Sequence, residues 1–162
     1  LVVKYGKRYE YFRIKDTLDK LNWYKEHNVK IILPERISET NIDEVVEKEF
    51  DIKEYEHAKE ELLKDFESIK EKFWKKLEEK TGKKVPAQIE VMLTKYGCGG
   101  SYNPPSRVVI NFNYSRMHNN LIYCLKHETI HLMVEDEVQK RKLTQEEKED
   151  LVNNIFDEIE IK

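Results

Sequence analysis

His127, Glu128 and His131 form the sequence pattern His-Glu-x-x-His. Side chains four positions apart lie one turn above each other on an α-helix, so the two imidazoles would point the same way. Two neutral imidazole nitrogens can bind one Zn²⁺ at about 2.0–2.1 Å. Glu128 directly follows the first ligand and would take a proton from a metal-activated water. The pattern predicts a hydrolytic zinc site with Glu128 as its catalytic base. The alternative is a polar stripe on an exposed helix.

A catalytic zinc site needs a third protein ligand, and its fourth position stays open for water. One layout places a histidine six residues after His131, beyond a glycine that bends the chain. Glu137 occupies that histidine position here, and Val134 occupies the glycine position. Without the bend, the helix would carry Glu137 onward and out of reach.

The second layout takes a carboxylate from the next helix. Thr144 is the predicted N-cap of that helix, and Glu147, three residues later, is its capping-box partner. Glu149 flanks the apolar face expected over residues 151–159, so it is the predicted third ligand of one Zn²⁺ per chain. The alternative is that Glu149 is one of several solvated acids on this helix.

Two further helices are predicted before this one. The longest covers residues 52–80, where apolar side chains recur at three- and four-residue steps until Gly82 ends the pattern. The other runs from 121 to about 138, with Asn119 or Asn120 as its N-cap. It carries both histidines of the motif.

Strand patterns lie between the two helices. Residues 88–96 alternate between apolar and polar, and residues 108–112 are short and β-branched. Nearer the N-terminus, we expect a short helix over 15–27, a short strand over 29–33 and irregular or weakly helical structure over 36–53. These elements predict an α+β fold with a long helix, a small, mostly antiparallel sheet, the motif helix and a following helix.

The chain resembles the gluzincin metallopeptidases in two places, the sequence HETIH at 127–131 and EDLVN at 149–153. Gluzincins combine His-Glu-x-x-His with a zinc-binding glutamate on a later "glutamate helix". The short separation is most similar to the minigluzincins, compact archaeal proteins described as latent proteases, and the resemblance covers roughly residues 55–160. It implies a zincin-like fold and a zinc-dependent peptidase that acts on peptides or unfolded proteins.

The resemblance implies two further features of the site. Many relatives have an aspartate at the position of Asn153, where it orients a zinc-bound histidine. The amide oxygen of Asn153 could accept the same N–H hydrogen bond without charge. An edge strand that holds the substrate extended would be the stretch Gly99, Gly100, Ser101 and Tyr102, hairpinned onto 108–112.

Other residues near the motif have several interpretations. Cys124 shares a helix face with the histidines and is expected to be a buried structural thiol, while Cys98 in the glycine loop could reach the metal and silence it. Tyr102, Tyr114 and Tyr123 are alternative oxyanion donors, and the sequence does not choose among them. His118 is expected to be an ordinary loop residue.

Composition limits the classes of function. The 162 residues suit one compact domain, and 29 Lys and Arg against 32 Asp and Glu give a net charge of −3, which argues against nucleic acid as a partner. No apolar run approaches the roughly 20 residues of a membrane span. Two cysteines make no disulfide framework, which favours a cytoplasmic location. The dense, mixed Lys and Glu content is typical of thermophile proteins.

Residues 1–50 are rich in aromatic side chains and lie outside the resemblance, which leaves 51–162 as the predicted metallopeptidase domain. The first 50 residues are either scaffold packed on the sheet or the long helix, or an inhibitory segment across the cleft. The leading functional hypothesis is a zinc metallopeptidase that is active or held latent as a zymogen. The alternatives are a non-catalytic or self-blocked zinc-containing binding module and a helical scaffold without metal.

Overall fold

The computed structural model describes residues 1–118 and 120–160, which form an α+β fold with seven helices and four strands. In chain order the elements are β1 (Val2–Lys4), α1 (Lys7–Asp19), α2 (Leu21–Glu26), α3 (Ile42–Glu49), α4 (Ile52–Thr81), β2 (Glu90–Thr94), β3 (Gly100–Asn103), β4 (Arg107–Asn111), α5 (Phe112–His118), α6 (Leu121–Arg141) and α7 (Gln145–Glu158).

The four strands form one mixed sheet in the order β1-β2-β4-β3. β1 and β4 are both parallel to β2, and only β3 and β4 are antiparallel. The prediction of a mostly antiparallel sheet is therefore wrong. The reason lies in the connections: α1 to α4 all lie between β1 and β2, and such a long connection allows the chain to return in the same direction, so that this pair is parallel. After β2 the chain forms β3 at the edge of the sheet. It then turns back as β4, which lies between β2 and β3 and pairs with both.

The main core lies between one face of the sheet and two helices, α4 and α6. On the sheet side, Val91 and Leu93 of β2 and Val108 and Ile110 of β4 are fully buried. α4 begins at Asp51, whose side chain accepts a hydrogen bond from the Lys53 backbone N–H, and it ends at Gly82 with φ 67°. Between Asp51 and Gly82, the apolar face of α4 packs against α6.

Residues 1–50 contribute to the same fold. Val3 of β1 pairs with Val91 of β2, and the carboxylate of Glu10 on α1 accepts hydrogen bonds from the Tyr55 hydroxyl, the Thr94 hydroxyl (2.6 Å) and the Lys95 backbone N–H (2.8 Å). A second apolar cluster joins this segment to the rest of the chain and consists of Ile14, Ile42, Val46 and Tyr96. The strand and α1 are therefore structural parts of the domain.

Several predicted elements are confirmed within one to three residues, namely α4, α6 and the strands β2 and β4. The predicted strand at 29–33 is wrong, because only Ile32 makes an isolated antiparallel bridge, to Gly97. Residues 15–27 fall into the end of α1 and α2, and the region expected to be irregular or weakly helical contains α3. Within the described part of the chain, no helix combines the length and apolar character needed to cross a membrane.

Candidate metal centre

α6 brings His127 and His131 together. The side chain of its N-cap, Asn120, accepts a hydrogen bond from the Tyr123 backbone N–H at 2.7 Å, while Asn119, the other candidate cap, lies outside the described residues. The helix then continues without a bend, so the two Nε2 atoms one turn apart lie 3.2 Å from each other. The same continuity leaves Glu137 exposed and paired with Arg141, as expected.

α7 brings in the third group. Thr144 and Glu147 form the predicted capping box, with reciprocal hydrogen bonds of 3.2 and 2.7 Å. The chain reverses between the helices at Lys142, which adopts φ 54°. The carboxylate oxygen Oε2 of Glu149 then lies 3.5 Å from Nε2 of His127 and 3.4 Å from Nε2 of His131.

The three atoms fit a tetrahedral metal ion. With metal–ligand bonds of about 2.0–2.1 Å, the ligand atoms of a tetrahedral site lie about 3.3–3.4 Å apart. The observed triangle has edges of 3.2, 3.4 and 3.5 Å. These residues form a group that could hold a metal ion, and all three line a cleft. The predicted residues are therefore the ones that converge.

The electrostatics of the cluster favour an ionised carboxylate between two imidazoles. Burial alone would raise the pKa of Glu149, but hydrogen bonds with His127 and His131 lower it well below its usual range. Burial opposes protonation of both histidines; at His127 the hydrogen bond to Glu149 and the charge of Glu128 outweigh burial and raise the pKa. At His131 burial prevails and the pKa is lowered.

Glu128 lies beside the cluster and is only 8% exposed. Burial raises its pKa to about 7, although the positive charge of His127 opposes the shift. Its side chain fits against the backbone of Gly100, where an added β-carbon would lie 2.4 Å from the carboxylate oxygen Oε1. The glycine thus permits β3 to approach the glutamate closely.

β3 is an edge strand of the sheet and includes Gly100, Ser101 and Tyr102, and Gly99 lies directly before it. The Asn111 backbone N–H donates to the Gly99 carbonyl at 2.9 Å, so alternation along an antiparallel pair turns the Ser101 main-chain groups inward. The main-chain groups of Gly100 and Tyr102 therefore face the free edge. The predicted strand lies beside the three candidate ligands, and its role in substrate binding stays a prediction.

The predicted hydrogen bond to Asn153 is not formed. Asn153 is exposed, and within residues 1–118 and 120–160 the buried Nδ1 atoms of His127 and His131 have no hydrogen-bond partner. Asn153 follows Glu149 by four residues and therefore lies on the same side of α7. It is exposed, however, whereas the imidazoles, one of which it was predicted to contact, are more buried.

The cluster opens into a cleft of about 1130 Å³. One wall consists of α6, α7 and the edge strand, and another comes from the N-terminal segment, whose Trp23 and His27 stack at 4.2 Å. Sequence reasoning considered this segment as a whole and did not identify the two residues. Their four-residue spacing, with Trp23 in α2 and His27 as its C-cap, was the available signal.

The other candidates have defined positions. The Cys98 thiol donates to the Gly100 carbonyl at 3.0 Å and is not part of the metal-ligand group, while Cys124 is buried beside Ser115. His118 ends α5 rather than lying in a loop. The three tyrosines proposed as oxyanion donors all line the cleft. The Tyr102 hydroxyl is engaged, because it donates to Glu135 at 2.6 Å.

Compared with known protein families, with curated proteins and with solved structures, this chain matches none. The assignment of a function therefore depends on the geometry of the site.

Proposed function

We propose that this protein is a zinc-dependent metallopeptidase of the gluzincin type with a zincin-like fold. The observation that carries the proposal is the triangle of His127, His131 and Glu149, whose edges of 3.2–3.5 Å match a tetrahedral ligand set. Glu128 lies beside it in the cleft, and an edge strand passes next to both. Two imidazoles, one carboxylate and an adjacent general base are the groups that metal-assisted hydrolysis requires.

The donor set favours zinc over harder cations. Mg²⁺ and Ca²⁺ prefer six or more oxygen ligands, whereas two imidazole nitrogens with one carboxylate suit tetrahedral zinc. When bound, the ion supplies Lewis-acid polarisation and makes water a stronger acid. His127 and His131 must be neutral to bind it, and Glu149 is already held in its ionised form.

Glu128 provides the proton transfers. Its carboxylate accepts a proton from the attacking water and passes that proton to the leaving amine when the peptide bond breaks. A pKa of about 7 suits both transfers, because the carboxylate must be basic enough to accept the proton and its acid form acidic enough to release it to the amine. A nearby cation would lower that pKa. Glu128 is only 8% exposed where it lines the cleft beside Gly100.

The edge strand supports a peptide as the substrate. The outward main-chain groups of Tyr102 can pair with an extended peptide, and those of Gly100 do the same if the Cys98 thiol releases its carbonyl. Gly100 is also the residue in contact with Glu128, so a peptide bound along β3 would pass directly over the general base.

A self-blocked or non-catalytic zinc-containing binding module is the second candidate. One observation favours it: residues of the N-terminal segment, including Trp23, His27 and Lys30, line the same cleft as the metal ligands. Such a wall would restrict access of a folded or bulky substrate. The two candidates share the zinc site and differ in turnover.

The test is a comparison of Glu128→Gln with the parent chain. We expect about one zinc per chain in both proteins, and a loss of about 10²–10⁴-fold in hydrolysis of a casein-like unfolded substrate, because an amide cannot accept the proton. Zinc content is measured by elemental analysis after reconstitution.

Glu137→Gln is the matched control, since Glu137 lies on the same helix but is exposed and pairs with Arg141. It should keep both zinc and turnover. Absence of zinc in the reconstituted parent would refute the metal centre. Zinc binding with equal turnover in Glu128→Gln would refute the mechanism, and peptide binding without any turnover would favour the binding module.

A further inference from the structure

The two imidazoles lack the usual support of a metal-binding histidine. Such a histidine normally donates its second ring N–H to a carboxylate or carbonyl, which fixes the orientation of the ring. Within the described residues, the Nδ1 atoms of His127 and His131 are buried without any partner of this kind. Apart from the contacts of Nε2 with Glu149, the orientation of these rings therefore depends on packing.

Tyr102 packs on His131. The two ring centroids are 4.9 Å apart and the planes differ by only 8°, so the phenol covers one face of the imidazole. His131 is also the more buried ligand, with a side chain that is 4% exposed. At His127 the corresponding stack with Tyr123 is looser, with centroids 6.1 Å apart.

Side chains from both α6 and α7 contact Tyr102. Its hydroxyl donates to Oε2 of Glu135 at 2.6 Å, and Glu135 lies one turn beyond His131 on α6. Oε1 of Glu135 accepts a second hydrogen bond from Gln139 at 2.7 Å. The ammonium of Lys148 on α7, the residue before Glu149, lies 5.6 Å from the phenol centroid.

We propose that Tyr102 is a positioning residue for the metal centre. Its ring orients His131 by stacking, in place of the missing hydrogen bond, and its hydroxyl ties the edge strand to α6 through Glu135. The same side chain thus sets the direction of one ligand and the distance of the substrate strand from the metal. The inference rests on the proposed metal site and assigns it a support that His-Glu-x-x-His spacing does not reveal.

Two titrations of the apo-chain test the proposal. The first adds Co²⁺ and follows the visible absorption, and the second adds Zn²⁺ in competition with a chelator. In Tyr102→Leu we expect metal affinity to fall by about 10-fold or more and the Co²⁺ spectrum to change, because the variant lacks the ring that orients His131. Tyr102→Phe keeps the stack, so its spectrum and affinity should stay within about 3-fold of the parent. Its weakened strand anchor should raise KM more than it lowers kcat.

Tyr114→Leu is the matched control for metal binding, because Tyr114 lines the same cleft but stacks on His118, 4.1 Å away. It should leave the Co²⁺ spectrum unchanged. Should Tyr102→Leu not fold, Tyr102→Val makes the same comparison with a residue that favours strands. Unchanged affinity and spectrum in the folded Leu or Val variant would overturn the proposal, whereas a parent chain that binds neither ion would refute the metal site itself.

Discussion

Glu149 is more exposed than the two histidines it faces. Its side chain is 38% exposed, against 16% for His127 and 4% for His131. A carboxylate that served only to neutralise buried imidazoles would be expected to be enclosed with them. The partial exposure places Glu149 at the rim of the cleft, where it can bind a cation that enters from solvent.

Substitution of Glu149 should therefore affect the metal more than the fold. We expect Glu149→Ala to weaken zinc binding by at least about 10-fold, because one of three protein ligands is lost. Competition with a chromogenic chelator measures the affinity. Asp150→Ala, which changes the exposed neighbouring acid, is the control and should bind zinc as the parent does. If Glu137→Ala lost the metal instead, the ligand set proposed for this site would be wrong.

Residue spacing along one helix predicted much of the centre. The four-residue step from His127 to His131 and the flanking position of Glu149 both follow from helical geometry, which is local. Asn153 was predicted from a resemblance and fails because spacing specifies a helix face but not the depth of a side chain. Tyr102 was selected for its strand, and its contact with Glu135 joins two elements whose packing no local pattern describes.

At the level of elements, the helices were more predictable than the sheet. The Gly82 stop that ends α4 and the Thr144–Glu147 capping box that begins α7 were both predicted from the sequence, and both form. The order β1-β2-β4-β3 depends on pairings between residues that are far apart in the chain. β1 has only three residues, which is too short for an alternation pattern to be recognised.

The junction of α1 with the sheet depends on one buried carboxylate. Glu10 is 1% exposed and accepts hydrogen bonds from three donors, those of Tyr55, Thr94 and Lys95. Burial raises its pKa above the ordinary value, although the three hydrogen bonds and the charge of Lys95 act in the opposite direction. The desolvation of the carboxylate is therefore only partly compensated.

This shift predicts how stability depends on pH. Because the folded-state pKa lies above the unfolded one, the folded chain binds the proton more tightly, and the free energy of unfolding falls as the pH rises through the folded pKa. Glu10→Gln has no such proton and should flatten the decline. Urea unfolding at a series of pH values measures the effect.

Two comparisons sharpen this test. Glu26→Gln changes an exposed acid and should preserve the pH dependence of the parent. Glu10→Ala should destabilise the chain by about 3 kcal/mol or more, because it leaves buried donors without an acceptor. The contrary result is a parent chain whose free energy of unfolding is constant or rises with pH, together with identical behaviour of Glu10→Gln. That result would show that Glu10 is not the titrating group.

At the level of the whole molecule, the candidate metal centre lies between the last two helices, α6 and α7. Two ligands come from α6 and one from α7, so a bound ion would link the helices across their turn. Both helices contribute to the main core, through residues such as Leu125 and Val152. An ion that binds only the folded chain therefore stabilises the entire domain.

Zinc should raise the melting temperature of the protein. At a free zinc concentration about 100 times Kd, linkage predicts about 2.7 kcal/mol of stabilisation, which for a domain of this size is a Tm increase of roughly 5–10 °C. Calorimetry with zinc and with excess chelator measures the difference. Mg²⁺, which prefers six oxygens, should give no comparable increase, and neither should zinc added to His131→Ala. An equal increase in His131→Ala would place the stabilising ion elsewhere.

The contact between Gly100 and Glu128 has a consequence for how such a sequence can change. No positive φ is recorded at Gly100, so the backbone there does not demand glycine. What excludes a side chain is the carboxylate, which an added β-carbon would approach to 2.4 Å. The side-chain volumes at the two positions are therefore coupled: we expect a chain of this fold with a smaller residue in place of the glutamate to accept alanine or serine at the glycine position on the edge strand.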